Sequence, residues 1–182
     1  MAILVQLLVF TTVFAYASFF EWTLHRFLMH RPLVWGYPYR AHALTHHRVF
    51  KADTTYHIQQ KNDQHDVTFA WWNAPLLIGI HVPVLWGVQC LLGVHVMVAG
   101  TAAMSFYYFL YEYLHWCMHV PSNRWFERTG TFRWINAHHL AHHRRMWTNF
   151  NVVLPLADFV LRTRKPLKPA AVARDVAPLA HS

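Results

Sequence analysis

Two stretches of this chain, Met1–Phe20 and Val67–Tyr111, contain no Asp, Glu, Lys or Arg. At 1.5 Å per residue, about twenty helical residues cross a hydrocarbon core of about 30 Å. The first stretch is therefore expected to span a membrane. Ala15, Tyr16 and Ala17 faintly resemble a signal-peptidase site, but no basic segment precedes them, so an uncleaved span is expected. The second stretch, forty-five residues long, has room for two helices and a tight turn, which Pro83 and two glycines place at Gly87–Gly93. All sixteen Lys and Arg lie in His25–Asp66 or after Pro121. The positive-inside rule then puts both polar segments in the cytoplasm and the N-terminus outside.

Composition agrees with a membrane protein. Charged residues make up 13% of the 182 residues and aromatics 16%, with nine tryptophans, where a soluble domain carries about 25% charged residues. The net charge of +8 comes with no nucleic-acid motif, and two cysteines, Cys90 and Cys117, make no disulfide framework. The run from Phe150 to Leu161 is too short to span and is expected to lie at the interface or pack in the core. The expected fold is an all-α integral membrane protein, with about three transmembrane helices and a cytoplasmic helical cap. Residues 1–165 form one domain and 166–182 a Pro/Ala-rich disordered tail.

Eleven of the sixteen histidines fall in four clusters that flank the uncharged stretches. They are His25 and His30; His42, His46 and His47; His115 and His119; and His138, His139, His142 and His143. Imidazole is the commonest metal ligand and suits zinc, copper, iron and nickel. On a helix, residues i, i+3 and i+4 share a face. His115 with His119, and His139 with His142 and His143, are thus expected to converge on an ion. His25 and His30 lie about 140° apart around an α-helix, so they need a bent helix end or two neighbouring ions. Ten or eleven imidazoles are too many for one ion and suit two. Glu21 and Glu112, one turn before His25 and His115, are expected to accept the outward N–H of a ligand. Cys117 is expected to be a packing residue, His81 and His95 to pack or to make interfacial hydrogen bonds, and His57 and His65 to be solvated; His181 lies in the tail.

The series HxxxxH, HxxxHH, HxxxH, HHxxHH resembles the fatty acid hydroxylase and sterol desaturase superfamily of integral-membrane, non-haem di-metal oxygenases. The resemblance runs from about Glu21 to Thr163 and includes Asn149, Phe150, Val152 and Asp158 after the last cluster. It departs at Asn151, where the family has Gly, at Ala157 in place of Trp, and in HxxxHH where HxxHH is commoner. The resemblance implies that His25, His30, His42, His46, His47, His115, His119, His139, His142 and His143 hold two iron ions, with His138 a possible extra ligand. Zinc can replace iron in isolated protein. It also places Asn149 and Asp158 beside the ligands. The implied activity is O2-dependent hydroxylation or desaturation of a lipid such as a fatty acyl chain or sterol. Electrons would come from an external ferredoxin- or cytochrome-type carrier with its reductase. Independently of the resemblance, the basic residues Arg124, Arg128, Arg133, Arg144 and Arg145 are expected either to dock an acidic carrier or to hold anionic lipid headgroups. A carotenoid hydroxylase of the same chemistry is the alternative. From other classes, a metal transporter would place ligands near the bilayer midplane, a haem bundle would leave six clustered histidines idle, and the HExxH of zinc proteases is absent.

Overall fold

The computed structural model describes residues 2–33 and 35–167, and every regular element among them is helical. The expectations for residues 168–182, including His181, lie outside the described residues. Helix α1, Ala2–Leu24, continues without a break into a π-helical turn, His25–Met29. A second composite helix follows: α2 at Gly36–Tyr39, a π-helical segment at Arg40–His46, and α3 at His47–Val49. Two 3-10 turns, Thr54–Tyr56 and Lys61–Asp66, lead back to the apolar stretch.

That stretch folds as α4 (Asn73–Gly79), α5 (Val82–Leu92) and α6 (Met97–His119). The turn lies later than Gly87–Gly93. Pro83 sits in the first turn of α5, where its missing N–H costs no hydrogen bond. Gly87 is mid-helix, and α5 ends at Gly93 in the left-handed region (φ 62°) with its N–H on the Gln89 carbonyl at 3.0 Å, a glycine C-cap. The Gln89 side chain then accepts from the N–H groups of Val96 and Met97, at 3.1 and 3.3 Å, and so caps α6.

Helices α1 and α6 pack through Ala17, Met104 and Tyr107, with Phe14 edge-on to Tyr107 at 4.9 Å. Two helical units are long and apolar enough to cross a membrane: Ala2–Met29 and Asn73–Leu92, with mean hydropathy 2.0 and 1.8. Only 11% and 6% of these windows are buried, whereas a soluble core helix of such composition would be covered.

The remaining elements, α7 (Gly130–Arg144) and α8 (Leu156–Val160), close over the polar end of α1 and α6. Thr129 caps α7, its hydroxyl accepting from the Phe132 N–H at 3.2 Å. The 150–161 run splits in character. Phe150, Val152 and Ala157 are buried, whereas Phe159, Val160 and Leu161 are exposed. Asn151 ties this run to α1 through its side chain. Its side-chain amide donates to the Ser18 carbonyl and to Glu21, at 2.8 and 2.9 Å, and its oxygen accepts from the Asp158 N–H at 3.1 Å.

Candidate metal centre

Ten of the eleven clustered histidines, all but His138, gather into two groups of five, and all ten are buried. His25, His30, His42, His47 and His142 form one; His46, His115, His119, His139 and His143 form the other. Within each group the ligand nitrogens all lie within 4.8 Å of one another. The grouping does not follow the sequence clusters. His46 leaves its own cluster to join His115, and His142 leaves His139 and His143 to join His25.

The local helix type explains the sorting. The π-turn bonds the His30 N–H to the His25 carbonyl at 3.1 Å, so residues five apart come to one side and both rings reach the same group. This is the bent helix end that the five-residue spacing required, and π-bulges recur at functional sites. The second π-segment likewise sends His42 and His47, again five apart, to that group, and turns His46 to the other. On α6 and α7, which are regular, His115 with His119 and His139 with His143 stay together at i, i+4.

Nε2 atoms face inward in both groups. In the first, separations are 2.8 Å for His25 and His42, 3.1 Å for His42 and His47, 3.0 Å for His47 and His142, and 3.0 Å for His30 and His142. In the second they are 3.2 Å from His46 to both His115 and His143, 3.1 Å for His119 and His139, and 3.0 Å for His139 and His143. Nitrogens about 2.1 Å from one ion lie about 3.0 Å apart at a right angle and about 3.4 Å apart at a tetrahedral one. The observed separations are short enough for the nitrogens of each group to share one ion.

Main-chain carbonyls hold the outward nitrogens of five of the ten rings, whereas Nδ1 of His115 and of His139 is buried without a partner. Nδ1 of His46 bonds the Asp66 carbonyl at 2.8 Å, His119 that of Tyr56 at 2.7 Å, His142 that of Thr148 at 2.8 Å, and His143 that of Phe50 at 2.7 Å. His25 does the same to the Phe150 carbonyl. A carbonyl only accepts, so these Nδ1 atoms carry the proton and each Nε2 presents a bare lone pair. His46 and His143 then bring two lone pairs within 3.2 Å, which a cation between them resolves. Burial first, then neighbouring imidazoles, holds His42, His47, His139 and His143 well below the usual histidine range, and burial takes His46 and His142 down to about 4. Neutral imidazole is the form that binds metal. The donor set therefore fits two nitrogen-ligated ions.

Other expected site residues lie elsewhere. His138 is in neither group; its Nε2 donates to Asp158 at 3.0 Å. Glu21 accepts from no histidine. It takes the Tyr107 hydroxyl at 2.6 Å, the Asn151 amide at 2.9 Å and the Val152 N–H at 2.5 Å, and so pins the loop that carries the Phe150 carbonyl. Glu112 accepts from Tyr108 at 2.9 Å. Asn149, in the left-handed region at φ 57°, ties the His138 carbonyl to Lys165. Asp158 takes the N–H groups of Phe150 and Asn151 at 3.0 and 2.8 Å. These residues support the ligands through the chain and touch none of the ten rings. Cys117 is buried in the apolar core and belongs to neither group. His81 is buried, bonded to the Leu77 carbonyl at 2.7 Å. His65 is exposed, but His57 is buried against Tyr56.

Two cavities flank the centre. One, on the α1 and α6 side, holds about 90 Å³ of water-accessible space and has an almost wholly apolar lining that includes Phe20, Leu77 and Met104. The other opens from the loop side onto His42 and His46, one donor from each group, with Thr45, His65 and Asp66 on its wall. Phe69 lines both and stands between them. No family model, curated protein or solved structure matches this chain.

Proposed function

We propose that this chain is a membrane-bound, O2-dependent oxidoreductase that hydroxylates or desaturates an unactivated C–H bond of a lipid, using two iron ions held by the two five-histidine groups. The observation that carries this reading is the pair of lone-pair-facing imidazole groups, together with an apolar cavity whose Tyr111 ring lies 5.7 Å from that of His115. Iron there would supply the hydrogen abstraction that no amino-acid side chain performs. The chain's own part is to hold ten imidazoles neutral, to orient five of them through main-chain carbonyls, and to keep water from the apolar side.

In this reading α1, the α4–α5 unit and α6 are three spans, the N-terminus is outside, and the histidine groups lie at the cytoplasmic ends, where the Lys and Arg residues are. Electrons arrive from a separate carrier, drawn to the basic surface of Arg128, Arg133, Arg144 and Arg145. Arg124 contributes less, being paired with Glu127.

The test joins metal content to turnover. Protein purified without chelators is expected to carry two ions per chain, and lipid product is expected to require O2, a reductase and a carrier. Product formed under strict anaerobiosis, or metal content unchanged after His119→Ala, would overturn the proposal.

A further inference from the structure

Polar groups are few on the wall of the apolar cavity, and nearly all are already engaged. The carboxylate of Glu21 accepts three hydrogen bonds, one of them from Tyr107. Tyr108 donates to Glu112, and the Asn73 amide donates to the Ala70 carbonyl at 2.9 Å. Tyr111 is different. It is 7% exposed, it lines the cavity, and its hydroxyl has no protein partner. A buried hydroxyl without a partner is rare enough in folded proteins to need an explanation, and a bound ligand is one.

We propose that this cavity binds a neutral lipid bearing a hydroxyl or carbonyl oxygen, and that the Tyr111 hydroxyl recognises that oxygen. Neutrality follows from the lining. It contains no Lys or Arg, and its one acid is Glu21. A carboxylate or phosphate would enter a low-dielectric site whose lining offers no Lys or Arg to meet it. Pure hydrocarbon would fill the space but leave Tyr111 unsatisfied.

The placement also orients the ligand. The Tyr111 ring lies 5.7 Å from that of His115 and 6.3 Å from Phe69, which in turn lies 6.4 Å from His42. Tyr111 thus marks the end of the cavity beside the histidine groups, while Phe20, Leu77 and Ile78 offer apolar wall for the tail. The oxygen-bearing end therefore sits nearest the metal centre. That this lipid is also the substrate rests on the oxygenase reading; that it binds does not.

The test is equilibrium competition against radiolabelled hexadecan-1-ol on the purified, metal-loaded full chain in detergent, with no reductant present. Unlabelled hexadecan-1-ol is expected to compete about tenfold better than hexadecane, and at least tenfold better than hexadecanoate at pH 8. Tyr111→Phe is expected to abolish the alcohol-over-alkane preference and to leave alkane binding and the thermal midpoint unchanged, which excludes misfolding as the cause. Equal competition by alcohol and alkane, a preference that survives in Tyr111→Phe, or a preference for the carboxylate would each overturn the proposal. Because no turnover is measured, these outcomes leave the O2-dependence of the oxygenase reading to its own experiment.

Discussion

The two histidine groups contain the same number of imidazoles but are built differently. The group around His119 draws four of its five donors from i, i+4 pairs on regular helices, α6 and α7. The group around His30 draws four from i, i+5 pairs in π-helical segments, plus His142. An α-helix places i and i+4 on one face at no cost, whereas a π-turn is a less stable local form that persists where packing or function requires it. The first group is therefore a product of helix periodicity. The second depends on two local departures from it.

The largest effect that would break this contrast is loss of a donor. Alanine at His119 or His143 is expected to empty the α-helical group, and alanine at His30 or His47 the π-helical one. Either should lower metal content from two ions towards one and activity by a hundredfold or more, since even partners of ligands are worth ten- to a hundredfold. Metal analysis of each purified variant reads this directly, and loss of the same ion from both sets would mean that the groups are one site. A sharper test changes the register alone. Deleting Leu28 makes the first pair four residues apart and removes the need for a π-turn. The expected result is two ions retained, because the pair then shares one α-helical face; loss of the ion from that group alone would show that the π-turn itself positions the rings.

The smallest effect concerns the support both groups share. Asp158 is fully buried and accepts from His138, Phe150, Asn151 and Thr163. Asp158→Ala is expected to cost about 3 kcal/mol, the penalty for breaking a buried hydrogen-bonded pair, read by denaturant or thermal unfolding. Burial pushes its carboxyl up, but hydrogen bonds from His138, the Asn151 N–H and Thr163 outweigh this and hold it below its ordinary value of 3.8. The stability so gained is present above about pH 4 and is lost as the pH falls through the lower folded value. Asp158→Asn should flatten that acid limb. An unchanged limb would show that other groups carry it.

Much of the centre was legible in the sequence because ligand chemistry lies in side chains. Ten of the eleven clustered rings come together, His138 alone standing apart, and the i, i+4 pairs behave as helix geometry requires. What spacing could not reveal was the sorting, because His42, His46 and His47 read as one cluster until the backbone is known to widen there. Glu21 and Glu112 were placed beside histidines on the same periodicity, yet they bind tyrosines and a loop. The groups that do orient the rings are carbonyls, which every residue has and no residue type advertises. His57 looked solvated in a polar segment and is buried, since burial in the cap comes from tertiary packing. The hairpin turn was misplaced because proline was read as a breaker where it opens a helix.

The carbonyl anchoring has a consequence for how such a protein can change. The main-chain atoms of Phe50, Tyr56, Asp66, Thr148 and Phe150 grip the rings, and no substitution removes a carbonyl. The loops that carry them are thus free to drift in side-chain identity while the path of the chain is kept. Gaining or losing a residue in those same loops would shift every carbonyl beyond it. Variation around this centre should therefore accumulate as point substitutions, with loop length held nearly constant.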